Sequence, residues 1–259
     1  MPFLTGTTGY YSTIILQSIC KCNSSKGIPC MNYSEFEKAI SIPRLEKYLR
    51  ACKGNKRDAL RLYRYNIKLC QRFFGLLSIF EVVFRNSINA HFKNHLGDPN
   101  WIVTQSTNGF LVRYQEPILS EYKKLMASGN YTNDRLLSTL SFGVWTFIFS
   151  RKCYKNSGKT SLQIFTAKPF GTNQSTIYND LDEIRSLRNR IAHHESLCFN
   201  RNGDIDLTYA QNILHLIQSY LVYLGYKPTQ LLFGIEHPSF TIEKIYELSH
   251  PSTSRRECP

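Results

Sequence analysis

The sequence has few acidic residues and no cysteine pattern typical of metal binding. Its 259 residues include 19 Asp and Glu against 32 Lys and Arg, which gives a formal net charge of +13. Of the eight cysteines, only Cys20 and Cys22 form a close pair, and no second pair follows at the spacing of a zinc finger or zinc ribbon. The sequence therefore predicts reduced thiols in a cytoplasmic protein, with no bound metal and no other cofactor.

Long apolar runs and the motifs of several common enzyme classes are also missing. The longest apolar-rich stretch, residues 73–84, is too short to cross a membrane and is interrupted by Gly75, Ser78 and Glu81. The first basic residue is Lys21, so the start of the chain lacks the charged region of a signal peptide. Neither a Gly-rich phosphate loop nor a Gly-x-Ser-x-Gly elbow occurs. We expect no membrane contact, no phosphate binding by a Gly-rich loop and no serine nucleophile on a Gly-x-Ser-x-Gly elbow.

The excess of cations favours a polyanionic partner. Each phosphate that Lys or Arg neutralises releases condensed counterions, which drives the binding of nucleic acid. Hydrophobic residues make up 42% of the chain and aromatic residues 13%, enough for a sizeable core. The alternative is a basic protein that is merely soluble, so the charge alone does not identify the partner.

The pattern after Ser34 is helical almost throughout, and no strand alternation is present, which predicts an all-α fold. Two short helices are expected first, one capped by Ser34 and one opened by Pro43. The longer helices are predicted over residues 56–95, 111–127, 134–151, 176–192 and 207–224, with a short one over 242–248. Three segments follow from this pattern: a loose N-terminal extension over 1–30, a helical domain over 31–225, and a C-terminal extension with a short helix over 226–259.

Residues 56–95 carry apolar side chains at alternating spacings of three and four, which predicts a helix with one buried face. These side chains are Leu60, Tyr63, Ile67, Cys70, Phe74 and Leu77. The same spacing reaches Glu81 and resumes at Phe84 and Ile88. A carboxylate is therefore predicted on the buried face, where it is costly without a partner.

The helix predicted over 176–192 has the opposite anomaly. Its apolar face is marked by Ile177, Leu181, Ile184 and Ile191. The same spacing predicts an apolar residue between Ile184 and Ile191, and Arg188 occupies that position. We expect Glu81 and Arg188 to form an internal ion pair. Replacing Glu81 is then expected to cost about 3–5 kcal/mol if Arg188 is left buried and unpaired. The alternative is an ordinary salt bridge whose long side chains reach the surface.

The run from Arg188 to Glu195 combines two arginines, two histidines and a carboxylate in eight residues. Histidine transfers protons near neutral pH, and arginine offers a fork of donors to phosphate oxygens. These are the groups that metal-independent RNA cleavage requires. On an ideal helix, however, Arg188 and His193 point about 140° apart, whereas Asn189 and His193 share a face. A frayed helix end or a site composed from two chains resolves this conflict, and a simple helix cap at His193 and His194 is the alternative.

Two basic stretches are candidates for holding RNA. One is a ridge on the long helix, formed by Arg57, Arg61, Arg64, Lys68 and Arg72. The other is residues 135–179, which contain six cations and no carboxylate: Arg135, Arg151, Lys152, Lys155, Lys159 and Lys168. Tyr154, Phe165 and Phe170 are interleaved with the second group, and aromatic rings between cations suit single-stranded RNA. The alternatives are a solvated helix face and a mobile basic loop whose aromatic side chains return to the core.

The run Arg188–Glu195 resembles the R-x4-H motif of HEPN domains, and its longer form looks like the Abi-like abortive-infection proteins of the AbiD/AbiF type. Three more elements are similar to that family and occur in its order: Arg44–Tyr63 with Gly54-Asn55, Phe80–Asn86, and Leu140–Trp145. Phe80 stands where the family more often has leucine. The likeness covers roughly residues 31–224.

This resemblance implies a HEPN-type helical bundle with additional N- and C-terminal helices. It also implies a homodimer formed through the motif helix, RNA as the target, and defence against phage. By the same resemblance Arg188 and His193 are the catalytic pair, Asn189 orients them, and Glu81 supports the arginine. A cognate non-coding RNA or antitoxin is a further possible partner. The alternative is a HEPN module that binds a structured or small RNA without cutting it.

Other polar residues near these motifs are assigned supporting roles. His194 and Glu195 extend the motif, and Arg85 and Asn86 follow Glu81. Arg85 and His91 make a second, looser Arg-x5-His spacing. It is interpreted as mostly structural, because Arg85 lies four residues after Glu81 and can pair with it on a helix.

Overall fold

The computed structural model describes residues 31–250, and the described chain is all-α. It divides into two compact units between Glu46 and Lys47. Between residues 31 and 250 the only strand-like pairing is one antiparallel bridge, which joins Phe199 and Ile205. The predicted all-α class is confirmed, and the HEPN type of the bundle stays a prediction. The expected extension over residues 1–30 lies outside the described residues, and the three-segment division of the chain stays a prediction.

Twelve α-helices form the described chain. They are α1 Tyr33–Ile40, α2 Ile42–Ala51, α3 Lys56–Leu96, α4 Trp101–Asn108, α5 Gln115–Ala127, α6 Asn133–Thr139, α7 Phe142–Phe147, α8 Arg151–Asn156, α9 Gln174–Ala192, α10 Thr208–Tyr223, α11 Pro228–Leu231 and α12 Ser239–Ser249. Short 3₁₀ turns occupy Val112–Tyr114 and Ser161–Ile164.

Helix α1 is capped two residues earlier than expected. Asn32, not Ser34, caps it by accepting a hydrogen bond from the Glu35 N–H at 3.0 Å. The Glu35 carboxylate returns the bond to the Asn32 N–H at 3.0 Å, which completes a capping box. Ser34 lies inside the helix instead.

Helix α3 is a single helix of 41 residues, one residue longer than predicted. It begins at an Asn55 cap that accepts from the Asp58 N–H at 3.1 Å. It ends at Gly97, whose φ of +62° is a left-handed conformation that glycine adopts without steric cost. No proline or glycine cap interrupts the helix between these ends, and Gly75 is tolerated within it.

The buried face of α3 is not the predicted one. Its fully buried side chains are Leu62, Leu69, Phe73, Phe80, Phe84, Ile88 and Phe92. Of the predicted face, Ile67 is 40% and Phe74 62% exposed, while Leu60, Tyr63 and Leu77 are buried. Glu81 therefore follows the seam residue Phe80 and lies beside the seam. The prediction that Glu81 sits on the buried face is wrong.

Aromatic packing centres the core on the middle of α3. The Phe84 ring lies 5.5 Å from Phe80, 5.9 Å from Phe142 and 5.6 Å from Phe149, centroid to centroid. Phe165 joins this cluster, and Tyr220 of α10 packs edge-on against it at 5.5 Å. Phe165 is thus a core residue. Its ring is not available to stack on RNA, and the alternative that it returns to the core applies.

The middle of the chain is more broken than predicted. The helix expected over 111–127 is the 3₁₀ turn plus α5, and the unpredicted α4 precedes it. The helix expected over 134–151 is α6 and α7, because the chain turns extended at Leu140 and Ser141. Helix α11 was not predicted either. Within residues 31–250, none of the helices is both long and apolar enough to span a membrane.

Candidate functional site at the end of helix α9

Helix α9 carries the motif and is held among four other helices. Its Asn173 cap accepts from the Thr176 N–H at 3.0 Å. The helix buries Ile177, Leu181, Ile184 and Leu187 and packs against α3, α7, α8 and α10. Leu187, not Arg188, fills the step after Ile184, and Ile191 is only partly buried. The prediction that Arg188 interrupts the buried face is therefore wrong.

Glu81 and Arg188 nevertheless form the predicted ion pair. The Arg188 Nε lies 3.7 Å from the Glu81 Oε1, an ion-pair distance longer than a hydrogen bond. The side chain of Arg188 is 45% exposed and that of Glu81 28% exposed. The pair thus lies on the flank of the α3–α9 contact and is not internal, so its loss does not strand a buried charge.

The Glu81 carboxyl is electrostatically perturbed. Partial burial raises its pKa, whereas Arg188 and Arg85 act in the opposite direction and lower it. Arg85 therefore contributes to the same charge cluster. Its Nε–H is buried and donates to no partner among residues 31–250, and no ion pair within 4.0 Å joins Arg85 to Glu81.

The C-terminal end of α9 is intact and not frayed. The His193 N–H donates to the Asn189 carbonyl at 2.9 Å, so the helical register continues through His193. The His194 N–H donates to Ile191 at 3.0 Å, and the Glu195 N–H donates to Arg190 at 2.8 Å. These two bonds form a Schellman motif, with His194 at the left-handed position, φ +56°, where glycine is usual.

This regular ending keeps Arg188 and His193 on different sides of α9. Because the register holds, the two side chains leave the helix about 140° apart. Asn189 and His193 lie one turn apart on one face, and both are exposed. Of the two ways to resolve the geometric conflict, the frayed end is therefore excluded for this chain, and the composite site stays a prediction.

Arg190, the second arginine of the motif, fixes the turn that follows. Its guanidinium donates to the Ser196 carbonyl at 2.7 Å and lies 3.3 Å from the Glu195 carboxylate. It also stacks 4.5 Å from the centroid of the Tyr209 ring on α10. Glu195 thus supports the motif through Arg190.

Two further residues anchor this turn, and the sequence patterns missed both. Asn66 of α3 is buried and accepts from the Leu197 N–H at 2.8 Å. The Lys47 ammonium donates to the Ser196 hydroxyl at 2.6 Å. Asn66 interrupts the true α3 seam between Leu62 and Leu69. A polar residue on an otherwise apolar face is the pattern that drew attention to Glu81. On the face of α3 that is actually buried, the same pattern identifies Asn66.

The remaining predicted supporting residues are dispersed. Asn86 is exposed on α3. His91 bonds to the Thr160 hydroxyl at 3.0 Å and stacks on His95, and burial lowers its pKa. These contacts agree with a structural role for the Arg85–His91 spacing.

Most of the cations predicted to hold RNA lie on α3 and α8, whereas Arg135 lies on α6 and Lys159 and Lys168 lie between helices. On α3, Arg61 pairs with Asp58 at 3.4 Å, and Arg72 pairs with Glu236 at 2.9 Å and also donates to Thr241. Arg57, Arg64 and Lys68 are exposed on the same helix. Arg151, Lys152 and Lys155 are exposed on α8, which packs against α9.

The described chain offers no ready metal centre. Between residues 31 and 250, no three His, Cys, Asp or Glu side chains come together in an arrangement that could hold a metal ion. Cys52, Cys70, Cys153 and Cys198 are free thiols in this part of the chain. Burial raises the pKa of Cys70 to about 11, so this thiol near the motif is protonated at neutral pH.

Comparison with known proteins gives one match. No curated protein and no solved structure matches the chain. A family model described as Abi-like protein matches residues 30–199, about two thirds of the sequence. The match contains Glu81 and the whole run from Arg188 to Glu195. The chain therefore belongs to the family of Abi-like proteins.

Proposed function

We propose that the protein is a metal-independent endoribonuclease of the HEPN class, of the AbiD/AbiF type, that acts in the cytoplasm in abortive infection or in a toxin–antitoxin-like role. The observation that carries the proposal is the end of α9. There Glu81 holds the exposed Arg188 by an ion pair of 3.7 Å, and the exposed His193 follows one and a half turns later. Membership of the Abi-like family supports the defence role.

The proposed chemistry is internal attack by the ribose. His193 removes the proton of the 2′-hydroxyl, the 2′-oxygen bonds to phosphorus, and the bond from phosphorus to the 5′-oxygen breaks. The leaving 5′-oxygen takes a proton from water. Arg188 stabilises the added negative charge on the phosphate, and Glu81 keeps that guanidinium in place. The products end in a 2′,3′-cyclic phosphate and a 5′-hydroxyl.

A homodimer is part of the proposal. Because the α9 register is regular through His193, one chain presents Arg188 and His193 on different sides. A two-fold axis beside α9 brings Arg188 of one chain to His193 of a second chain, so each phosphate is met by both groups. The supporting role of Arg190 and Asn66 is then to hold the turn after His193 rigid at the dimer contact.

The test compares two exposed histidines on neighbouring helices. His193→Ala is expected to lower the cleavage rate by about 10²–10⁴, the usual value of a general base, with RNA affinity nearly unchanged. His215→Ala, on α10, is expected to cleave like the unmodified protein. Cleavage is followed on labelled RNA in excess chelator, and the ends of the products are identified by mass.

Three results contradict this proposal. RNA that binds with a steep salt dependence but stays uncut supports a binding module that holds a structured or small RNA, including a cognate non-coding RNA. Cleavage by His193→Ala at the unmodified rate removes His193 from the chemistry. RNA that does not bind at all leaves a helical dimerisation protein, with His193 and His194 as a helix cap.

A further inference from the structure

A polar cavity lies one turn before the motif on α9. Its volume is about 740 Å³, within the range of about 300–1,000 Å³ that small-molecule sites occupy. Its walls come from the segment 109–114, from α7, from α8 and from α9. Gly109 shapes the rim, because a Cβ there would lie 2.9 Å from the Gln105 Cα.

Three cations from three separate elements line this cavity: Arg113, Lys152 and Arg185. No carboxylate is among the described residues that line it. Arg185 is oriented by Asp182, whose Oδ1 accepts from the Arg185 Nε at 2.8 Å. The side chain of Lys152 has no ion pair or hydrogen bond within residues 31–250. Convergent cations with no opposing acid on the wall suit a phosphate group.

Aromatic side chains share the same wall. Tyr114, Phe147 and Tyr178 line the cavity, and the Arg113 guanidinium lies 5.5 Å from the centroid of the Phe147 ring. The Tyr114 hydroxyl donates to the Gly143 carbonyl at 3.2 Å, which holds its ring in place. The buried Ser150 hydroxyl on the wall lacks a hydrogen-bond partner in the described chain. Rings beside cations bind a base and its phosphate together.

The cavity neighbours the candidate active site along α9, because its wall residue Arg185 lies one turn before Arg188. Arg185 and Arg188 lie three residues apart on α9, where Cβ atoms are about 5–6 Å apart. Arg188 is the residue that Glu81 holds, so a phosphate bound at Arg185 lies next to the one that Arg188 would contact. Neighbouring nucleotides of a single strand can therefore occupy both places.

We propose that this cavity binds one nucleotide of a single-stranded RNA, with the phosphate between Lys152, Arg113 and Arg185 and the base against Tyr178. The choice of RNA as the ligand rests on the proposed function. The cavity adds a defined binding place for one nucleotide to the exposed cations of α3 and α8. It also distinguishes Lys152 from the other cations of α8, Arg151 and Lys155, which do not line the cavity.

The test measures binding in a His193→Ala background, so a strand stays intact whether or not the protein is a nuclease. A fluorescein-labelled single-stranded RNA decamer is titrated at several salt concentrations. Lys152→Ala is expected to reduce the salt slope by about 0.7, the share of one phosphate contact. Tyr178→Leu is expected to weaken binding at least about fivefold through lost stacking.

Matched controls carry the same chemical changes outside the cavity. Lys123→Ala removes an exposed lysine of α5, and Tyr226→Leu removes an exposed tyrosine after α10. Both are expected to bind like the parent protein, and all variants are checked by thermal melting. Equal losses for Lys152→Ala and Lys123→Ala, or no loss for Tyr178→Leu, overturn the proposal.

Uridine 5′-monophosphate distinguishes a strand from a free nucleotide. It is expected to displace the decamer only at concentrations well above the decamer's own dissociation constant. Displacement at or below that constant overturns the RNA subsite and assigns the cavity to a small nucleotide. A protein that binds RNA through Lys152 and Tyr178 but never cleaves it keeps this inference while the nuclease proposal fails.

Discussion

At the scale of single residues, the pair of Glu81 and Arg188 has a surface character. Both side chains keep solvent contact, at 28% and 45% exposure, and the closest approach is 3.7 Å. Pairs of this kind contribute about 0–1 kcal/mol, because water screens the charges and two long side chains lose freedom. The position of Arg188 therefore matters more for chemistry than for stability.

Glu81→Gln is accordingly expected to lower the free energy of unfolding by less than about 1 kcal/mol, in place of the 3–5 kcal/mol expected for a buried pair. The same change is expected to slow RNA cleavage, since Arg188 loses the carboxylate that orients it. Urea unfolding and a cleavage assay measure the two effects. A loss of 3 kcal/mol or more would mean that the pair is internal after all.

His194 shows how the turn after α9 is built at a cost. A left-handed φ of +56° is unfavourable for a residue with a Cβ, and glycine is the usual choice at this point of a Schellman motif. The chain keeps the turn because Arg190 and Asn66 bind the carbonyl and the N–H of the peptide unit that joins Ser196 to Leu197. Tertiary bonds outweigh the local preference.

At the scale of elements, the two arginines of the motif at the end of α9 have different roles. Arg190 satisfies the Ser196 carbonyl and packs on Tyr209, whereas Arg188 faces solvent beside Glu81. Removing Arg190 leaves a partly buried carbonyl unsatisfied, which typically costs about 1–3 kcal/mol. Removing Arg188 leaves only the partly exposed carboxylate of Glu81 without its ion pair.

Arg190→Ala is therefore expected to destabilise the fold by about 1–3 kcal/mol, and Arg188→Ala by less than about 1 kcal/mol. Cleavage is expected to show the reverse ranking per folded molecule, with the greater loss for Arg188→Ala. Chemical denaturation and single-turnover cleavage are measured on both proteins. If Arg188→Ala is the less stable of the two, the division of labour proposed for α9 does not hold.

Helix α3 shows why an element can be predicted while its orientation is not. Its ends follow from Asn55 and Gly97, and its length follows from the absence of proline between them. Its apolar residues, however, cover more than one side, so two seams fit the sequence. The seam through Leu62, Phe73 and Phe84 is buried, while Phe74 stays exposed, because the other helices pack on the first.

At the scale of the whole molecule, a composite site makes a prediction that no single-chain site shares. Arg188→Ala and His193→Ala are each expected to be inactive. In an equal mixture after subunit exchange, half of the dimers are mixed, and each contains one intact site of two, so about a quarter of the activity returns. Cleavage by the mixture is measured beside light scattering.

A mixture that stays inactive although the subunits exchange would place Arg188 and His193 in one chain. A monomer that cleaves at the full rate would do the same. Arg188→Ala mixed with unmodified protein is the control for simple dilution of active chains.

The pH dependence of stability also belongs to the whole fold. Burial lowers the pKa of His91 and of His237, so the folded chain takes up these protons less readily than the unfolded chain. Protonation then favours unfolding, and the free energy of unfolding is expected to fall as the pH drops through about 6.5. Thermal melts between pH 7.5 and 5.5, roughly centred on that value, measure it.

The variant His91→Gln, His237→Gln is expected to flatten this dependence. Glu81 acts with the opposite sign, because burial raises the pKa of its carboxyl and its protonation favours the folded state. A melting temperature that rises on acidification would therefore point to Glu81, and not to the two histidines.

The sequence by itself determined the helical class, the long α3, the helix that carries the motif, and the pairing of Glu81 with Arg188. These features depend on helix caps, on local periodicity and on the attraction between opposite charges. Tertiary structure alone decided which face of α3 is buried, that Arg190 and Asn66 hold the turn after His193, and that Arg113, Lys152 and Arg185 meet at one cavity. The physical reason is that local patterns fix an element, whereas its orientation depends on neighbours far away in the chain.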